Sequence, residues 1–143
     1  MSNLAFFLKK NKAVRESTTF PVTKSLRDDK GNPLLWHIKP LTTKQDEAIR
    51  DACTIEVPIK GKSNMFRNKV DTNKYISKLL VASVVFPDLL SADLQDSYGV
   101  KTPEDLLKEM IDDPGEYTEF TLFVQNFNGF NVNIDEKIDE AKN

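Results

Sequence analysis

Cysteine and histidine occur once each in the 143 residues, as Cys53 and His37. A disulfide needs two thiols, and a zinc site drawn from these residue types needs about four ligands, so both frameworks are excluded. Long apolar runs are missing as well. The best candidate, 79–86, is bounded by Lys78 and Pro87 and falls far short of the roughly 20 residues that cross a bilayer. The opening holds only Leu4 to Leu8 as an unbroken apolar run, with its lysines after the run instead of before it. A secretory leader needs roughly 7 to 15 apolar residues behind a basic start, so an intracellular protein is expected. Excess charge of one sign is also lacking: 20 Lys and Arg nearly balance 22 Asp and Glu, which by itself names no polyanionic partner.

What is present is a globular composition, 39% hydrophobic and 29% charged, at a length close to one domain of roughly 150 residues. A single domain over 1–143 is expected. The charges segregate: residues 1–80 hold 16 Lys and Arg against 8 Asp and Glu, and residues 81–143 hold 4 against 14. Such a division fits two halves attracting within one fold, head-to-tail self-association, or separate faces for different partners. The first is preferred.

Periodicity predicts an α+β fold. Residues 3–12 read as a short amphipathic helix with Leu4, Phe7 and Leu8 on one side, a docking arm. Phe20, Val22 and Leu26, the turn-rich 28–33, and alternating Leu34, Trp36 and Ile38 read as a β-hairpin. Thr42 with Gln45 forms a capping box for a helix bearing Ala48, Ile49, Ala52 and Cys53 on one face, with Asp46 and Arg50 paired at i,i+4. Ile55, Val57 and Ile59 alternate before a turn at 60–64, and 65–70 returns as a second, weaker hairpin. The strongest helix is capped by Asp71 or Thr72, carries Tyr75, Ile76, Leu79, Leu80 and Ser83 along one face, and runs through Val84 and Val85 to Pro87. Further helical stretches follow within 89–98, from Thr102-Pro103 with Leu106, Leu107, Met110 and Ile111 buried, and from Tyr117 to Phe127. A last helix is capped by Asn133 with Glu136 and carries Ile134 and Ile138, with 139–143 frayed. The picture is a short N-terminal helix, one or two hairpins in the first half, and a helical second half packed on the sheet.

No constellation of reactive residues stands out. Gly61-Lys62-Ser63 looks like the end of a phosphate loop, but Glu56 occupies the position of the required second glycine, and its carboxylate would repel a phosphate. A plain turn is the better reading. Asp28, Lys30 and Asn32 fail as a calcium loop because Pro33 and Lys39 stand where Gly and Glu are needed. Cys53 is expected as a buried structural thiol and His37 on the wetter face of a strand, with no local signature joining them as nucleophile and base. The acid pairs Asp112/Asp113 and Glu104/Asp105 sit at helix boundaries, where solvation or capping explains them better than acid and base work. Neither an enzyme nor a metal or cofactor site is expected. The stripe Tyr117, Phe120, Phe123, Phe127 and Phe130 reads first as core packing, with part of it open as a groove for a partner helix. The basic run Lys9, Lys10, Lys12 and Arg15 beside Phe6 and Phe7 supports an alternative, a small nucleic-acid-binding regulator, whose binding would fall steeply with salt.

Several strings carry a resemblance to a known family. Met1-Ser2-Asn3-Leu4-Ala5-Phe6-Phe7-Leu8-Lys9-Lys10-Asn11-Lys12, Pro40-Leu41-Thr42-Thr43, and the segment from Asp71-Thr72-Asn73-Lys74-Tyr75 to Val84-Val85-Phe86-Pro87-Asp88-Leu89 resemble the phage tail assembly chaperones of the defective Bacillus prophage (PBSX-like) type. The likeness continues through 94–100, Thr102 to Leu107 and Phe127-Asn128-Gly129-Phe130. The resemblance implies a non-enzymatic assembly factor in the cytoplasm of the bacterial host, absent from the mature particle. It would bind the tape measure protein, keep it soluble and help recruit tail tube subunits, which it would meet through a longer, frameshifted form. It assigns no individual residues. On physical grounds the expected partner-binding residues are Leu4, Phe6, Phe7 and Leu8 of the arm and Phe120, Phe123, Phe127 and Phe130 of the aromatic helix; neither nucleic acid nor a membrane is expected as partner.

Overall fold

The computed structural model describes residues 3–130; the expected last helix, with Asn133, Ile134 and Ile138, and the fraying at 139–143 lie outside the described residues. The first hairpin forms around a wide loop. Strand β1 (Thr18–Phe20) pairs antiparallel with β2 (Trp36–Ile38), Thr18 opposite Ile38 and Phe20 opposite Trp36. Within the loop, Asp28 Oδ1 accepts the backbone N–H groups of Lys30 and Asn32 at 2.9 and 3.0 Å, and Gly31 takes φ +83°. An L side chain is strained at that φ.

Helix α1 (Thr43–Ala52) begins at the expected capping box: Thr42 Oγ1 accepts from Gln45 N–H at 3.1 Å while Gln45 Oε1 accepts from Thr42 N–H at 2.9 Å. It ends at buried Cys53. Strands β3 (Thr54–Pro58) and β4 (Phe66–Val70) form the second hairpin as a separate two-stranded sheet. Helix α2 (Thr72–Ser83) follows, capped by Asp71, whose Oδ1 accepts from Lys74 N–H at 3.3 Å.

Two expectations need correction. Helix α2 stops at Ser83, and Val84 and Val85, expected to extend it, belong with Phe86 to strand β5 (Val84–Phe86), which pairs antiparallel with β2 to complete a sheet in the order β1-β2-β5. Two β-branched residues disfavour helix, and Pro87 pushes Phe86 toward extended backbone. The strand also finds partners in β2, beginning with Lys39 N–H donating to Ser83 O at 2.9 Å. The N-terminal segment is likewise not an α-helix. It consists of two 3-10 turns, Asn3–Phe7 and Lys9–Asn11, separated by extended Leu8 (ψ 149°), and neither contains a buried residue. So short a helix is marginal unless packing supports it.

Helices α3 (Ala92–Ser97), α4 (Pro103–Met110) and α5 (Pro114–Phe127) are capped by Ser91, Thr102 and Asp113. Helix α5 thus starts at Pro114, three residues before the expected Tyr117: Asp113 Oδ1 accepts from Gly115 N–H at 2.8 Å and Glu116 N–H at 3.3 Å. Helix α2 is the spine, touching α1, α4, α5 and β5. Its Leu79 and Leu80 meet Leu106, Leu107 and Met110 of α4, Phe120 and Val124 of α5, and Trp36 and Ile38 of β2 in one core cluster. The second-half helices therefore cover the sheet face that carries Trp36 and Ile38, and His37 between them is exposed.

Candidate partner-binding surface

The arm lies open. Phe6 is 78% and Phe7 83% exposed, and Leu4, Leu8 and Val14 are also exposed. Two phenylalanines facing water a residue apart give up roughly 2 kcal/mol each of burial that a core would supply. A contiguous exposed apolar segment of this kind is a candidate contact surface.

The aromatic helix divides between core and surface. Phe127 stacks on Phe123 (5.9 Å between centroids, 7° between planes), Phe123 on Phe20 of β1 (4.0 Å, 12°), and Phe20 on Phe120 (6.1 Å, 13°), which meets Trp36 edge-on at 6.2 Å. This column runs from half-buried Phe127 inward to Phe120 and Trp36, at 0% and 1% exposed. Phe120 was expected among the partner-binding residues, but it is enclosed and has no surface to offer; it belongs to the core. Phe123 and Phe127 show an edge to solvent, and Phe130, beyond the helix, is exposed. Phe20 was not foreseen in this column, because strand periodicity says which face a residue occupies and not which distant ring it meets.

A clamp brings the arm and the end of α5 together. Asn128, at the C-cap of α5, donates through Nδ2 to Val124 O and accepts through Oδ1 from Leu41 N–H, both at 2.8 Å. The Arg15 guanidinium donates to Leu41 O from the arm side. Leu41 is thus held at both backbone polar groups, and a cleft of about 480 Å³ opens between Lys12 and Arg15 on one side and Thr42, Asp46, Asn128 and Phe130 on the other. A second cleft of about 360 Å³, lined by Lys9, Val14 and Pro40 among others, continues along the base of the arm. The surface that results is apolar at the arm, cationic at its base and aromatic at Phe130.

The floor of the cleft is fixed from α1. Asp46 accepts a hydrogen bond from the Tyr75 hydroxyl and pairs with Arg50 Nε at 2.9 Å, while the guanidinium carbon lies 4.8 Å from the centre of the Tyr75 ring. Burial first, and then the hydrogen bond and charge of Asp46, push the Tyr75 hydroxyl up from 10.0 to about 12. The hydrogen bond that Arg50 donates to the Asp46 carboxylate likewise raises Arg50. Between pH 10.0 and about 12 the folded chain keeps a proton that the unfolded chain releases. This group's stabilisation is therefore complete below that window and is lost as pH rises through it. In Tyr75→Phe the part of the alkaline fall in stability due to this group disappears; identical pH dependence of chemical unfolding in variant and wild type would contradict the coupling.

Other sequence candidates fall into structural places. Cys53 is fully buried at the end of α1, whereas His37 is exposed on β2 with Phe86 edge-on at 5.8 Å. Gly61 sits in the hairpin turn at φ +81°. Among the described residues no group of three His, Cys, Asp or Glu side chains is placed to hold a metal ion. Glu104 reaches Lys78 at 3.3 Å. Glu116, which sequence reasoning passed over, ties α5 to the first hairpin: its two carboxylate oxygens accept from Thr23 Oγ1 and Lys24 N–H, both at 2.8 Å. No helix is long and apolar enough to cross a membrane among the described residues.

Comparison with known proteins covers nearly the whole chain. The crystal structure of the protein YqbN matches with a TM-score of 0.74 at 20% identity, covering 92% of this chain and 99% of that one, which shows a shared fold. Protein XkdN of the phage-like element PBSX of Bacillus subtilis (strain 168) is 26% identical over 141 residues, 99% of this chain and 94% of its own length. YqbN of the same organism is 23% identical over 141 residues, again 99% of this chain. The family described as phage XkdN-like tail assembly chaperone protein matches residues 4–142. With the match running from the exposed arm through the clamp and beyond α5, the chain belongs to the XkdN-like family of phage tail assembly chaperones.

Proposed function

We infer that this protein receives apolar helical segments of a phage or prophage tape measure protein on its arm and the cleft behind it, keeps that client soluble, and helps recruit tail tube subunits that displace it. The observation that carries this reading is the exposure of Phe6 and Phe7 at 78% and 83%, together with a cleft lined by Lys12, Arg15 and Phe130, in a chain of a tail assembly chaperone family. An amphipathic client helix places apolar side chains at i, i+3, i+4 and i+7, and exposed rings on a short segment offer contacts to several such helices. Lys9, Lys12 and Arg15 add cations that favour a client helix with acidic flanks.

A holder of this kind must let go. A small interface of a few rings supports about micromolar or weaker binding, with fast dissociation, so tube subunits with a larger apolar contact can replace it. The work takes place in the host cytoplasm, and the finished particle lacks the chaperone; a frameshifted longer form supplies the contact to the tube protein. The family membership favours this reading over the nucleic-acid alternative, which shares the same cations. Co-expression with the tape measure protein tests it. Soluble recovery of the client should fall sharply when this chain is omitted, and equal recovery with and without it would refute the reading.

A further inference from the structure

The charge segregation seen in the sequence is not consumed inside the fold. Among the described residues two ion pairs form, Arg50–Asp46 at 2.9 Å and Lys78–Glu104 at 3.3 Å, and only the second joins the basic half to the acidic one. The cations of the β3–β4 hairpin, Lys60, Lys62, Arg67 and Lys69, enter neither pair, and Glu56 is the one acid on the same two strands.

The hairpin has an unpartnered face. Ile55 lies opposite Lys69 and Val57 opposite Arg67, so these four side chains share one face of the ribbon, two aliphatic beside two cationic. Ile55, Arg67 and Lys69 are exposed. Neither strand joins the other sheet, and the hairpin is fastened at its base, where Asp71 N–H donates to Cys53 O at 2.8 Å. A two-stranded ribbon is marginal in water without something against it.

The same molecule carries a complementary surface. Strand β5 is an edge of the three-stranded sheet, and Val85, Phe86 and Leu90, at or just after it, are exposed. Asp88, and Asp93 and Asp96 of α3, which follow within ten residues along the chain, are exposed too. An open strand edge with apolar side chains invites pairing, and here the charges beside it have the sign opposite to the hairpin's. Within one chain the hairpin and β5 stand in separate sheets with no pairing between them.

We propose that the β3–β4 hairpin of one copy docks on the β5 edge and α3 acids of a second copy, giving a head-to-tail self-association independent of the client-binding arm. The contact is heterologous: each copy offers both a hairpin and an acidic edge, so binding one neighbour leaves a site open for the next. A contact made by one short ribbon lies below the size of stable interfaces, so the association is weak and reversible. Its charged character makes it sensitive to salt.

Sedimentation velocity over a concentration series is the test. At low salt the weight-average mass of the wild-type chain should rise with concentration, and the association constant should drop about tenfold or more at about 0.5 M salt. R67E/K69E and D93K/D96K, each checked for native circular dichroism, should both be monomeric alone. Mixed, they should associate again, because every reversed hairpin then meets a reversed edge on the other variant. A wild-type chain that stays monomeric at low salt would overturn the proposal, and so would single variants that associate like wild type or a mixture that fails to restore association. Unchanged self-association together with lost tape measure capture in R67E/K69E would assign the hairpin to the client instead, which also overturns it.

Discussion

Phe120→Ala lowers the free energy of unfolding by about 3–5 kcal/mol, the range for a large aromatic removed from a closed core. Three features place it there. Its side chain is fully buried, so truncation leaves a cavity that water does not fill. It stands between Phe20 at 6.1 Å and Trp36 at 6.2 Å, so its loss also removes two ring contacts worth about 0.5–1.5 kcal/mol each. It joins α5 to the sheet, so the surrounding elements cannot close the gap without shifting the Leu41–Asn128 clamp. Denaturant unfolding reads the effect. A loss below about 1 kcal/mol would mean that the aromatic column is not the structural axis described here.

Phe6→Ser combined with Phe7→Ser has the opposite profile. Neither ring is in the core cluster, and no residue of Asn3–Phe7 is buried, so unfolding free energy changes by no more than about 0.5 kcal/mol. Affinity for the tape measure protein drops about tenfold or more, as expected when the large apolar anchors of a small interface are removed. Binding by titration calorimetry and unfolding by denaturant, on the same preparation, separate the two effects. A large loss of stability would assign both rings to packing, and unchanged affinity would remove the arm from the client site. Phe120→Ala and the arm variant thus divide phenylalanines that look alike in the sequence into two physical classes.

Local chemistry was legible in the sequence wherever its partners are near along the chain. The Thr42/Gln45 capping box, Thr102 before Pro103 and the Asp46–Arg50 pair all form as their spacing implied, and Asp71, one of two candidates with Thr72, is the cap of α2. The buried faces of α2 and α4 follow their periodicity, with Leu79, Leu80, Leu106 and Leu107 all fully buried. Legibility ended where a distant partner decides the outcome. Val84 and Val85 continue an apolar helical pattern, and only the presence of β2 beside them makes them a strand. Leu41 and Asn128, 87 residues apart, and Thr23 and Glu116, 93 apart, are bonded by the fold alone. Depth was hidden for the same reason: helical spacing groups Phe120, Phe123 and Phe127 on one face, and whether each is sealed or open depends on Phe20 and Trp36 across from it.

The candidate site was legible in part. The apolar opening reads directly from Leu4 to Leu8, and its exposure fits a segment too short to pack as a stable helix. The cleft between Arg15, Asp46 and Phe130 needed three separated stretches of chain to converge, which no local pattern announces.

Hydrogen exchange of the chain, measured alone and saturated with the tape measure protein, tests most directly that an exposed arm and the cleft behind it hold the client. The account predicts new protection over 3–15 and around Leu41 and Asn128, with α2 and α4 unchanged. Protection confined to other surfaces, with the arm exchanging as freely as before, would contradict it.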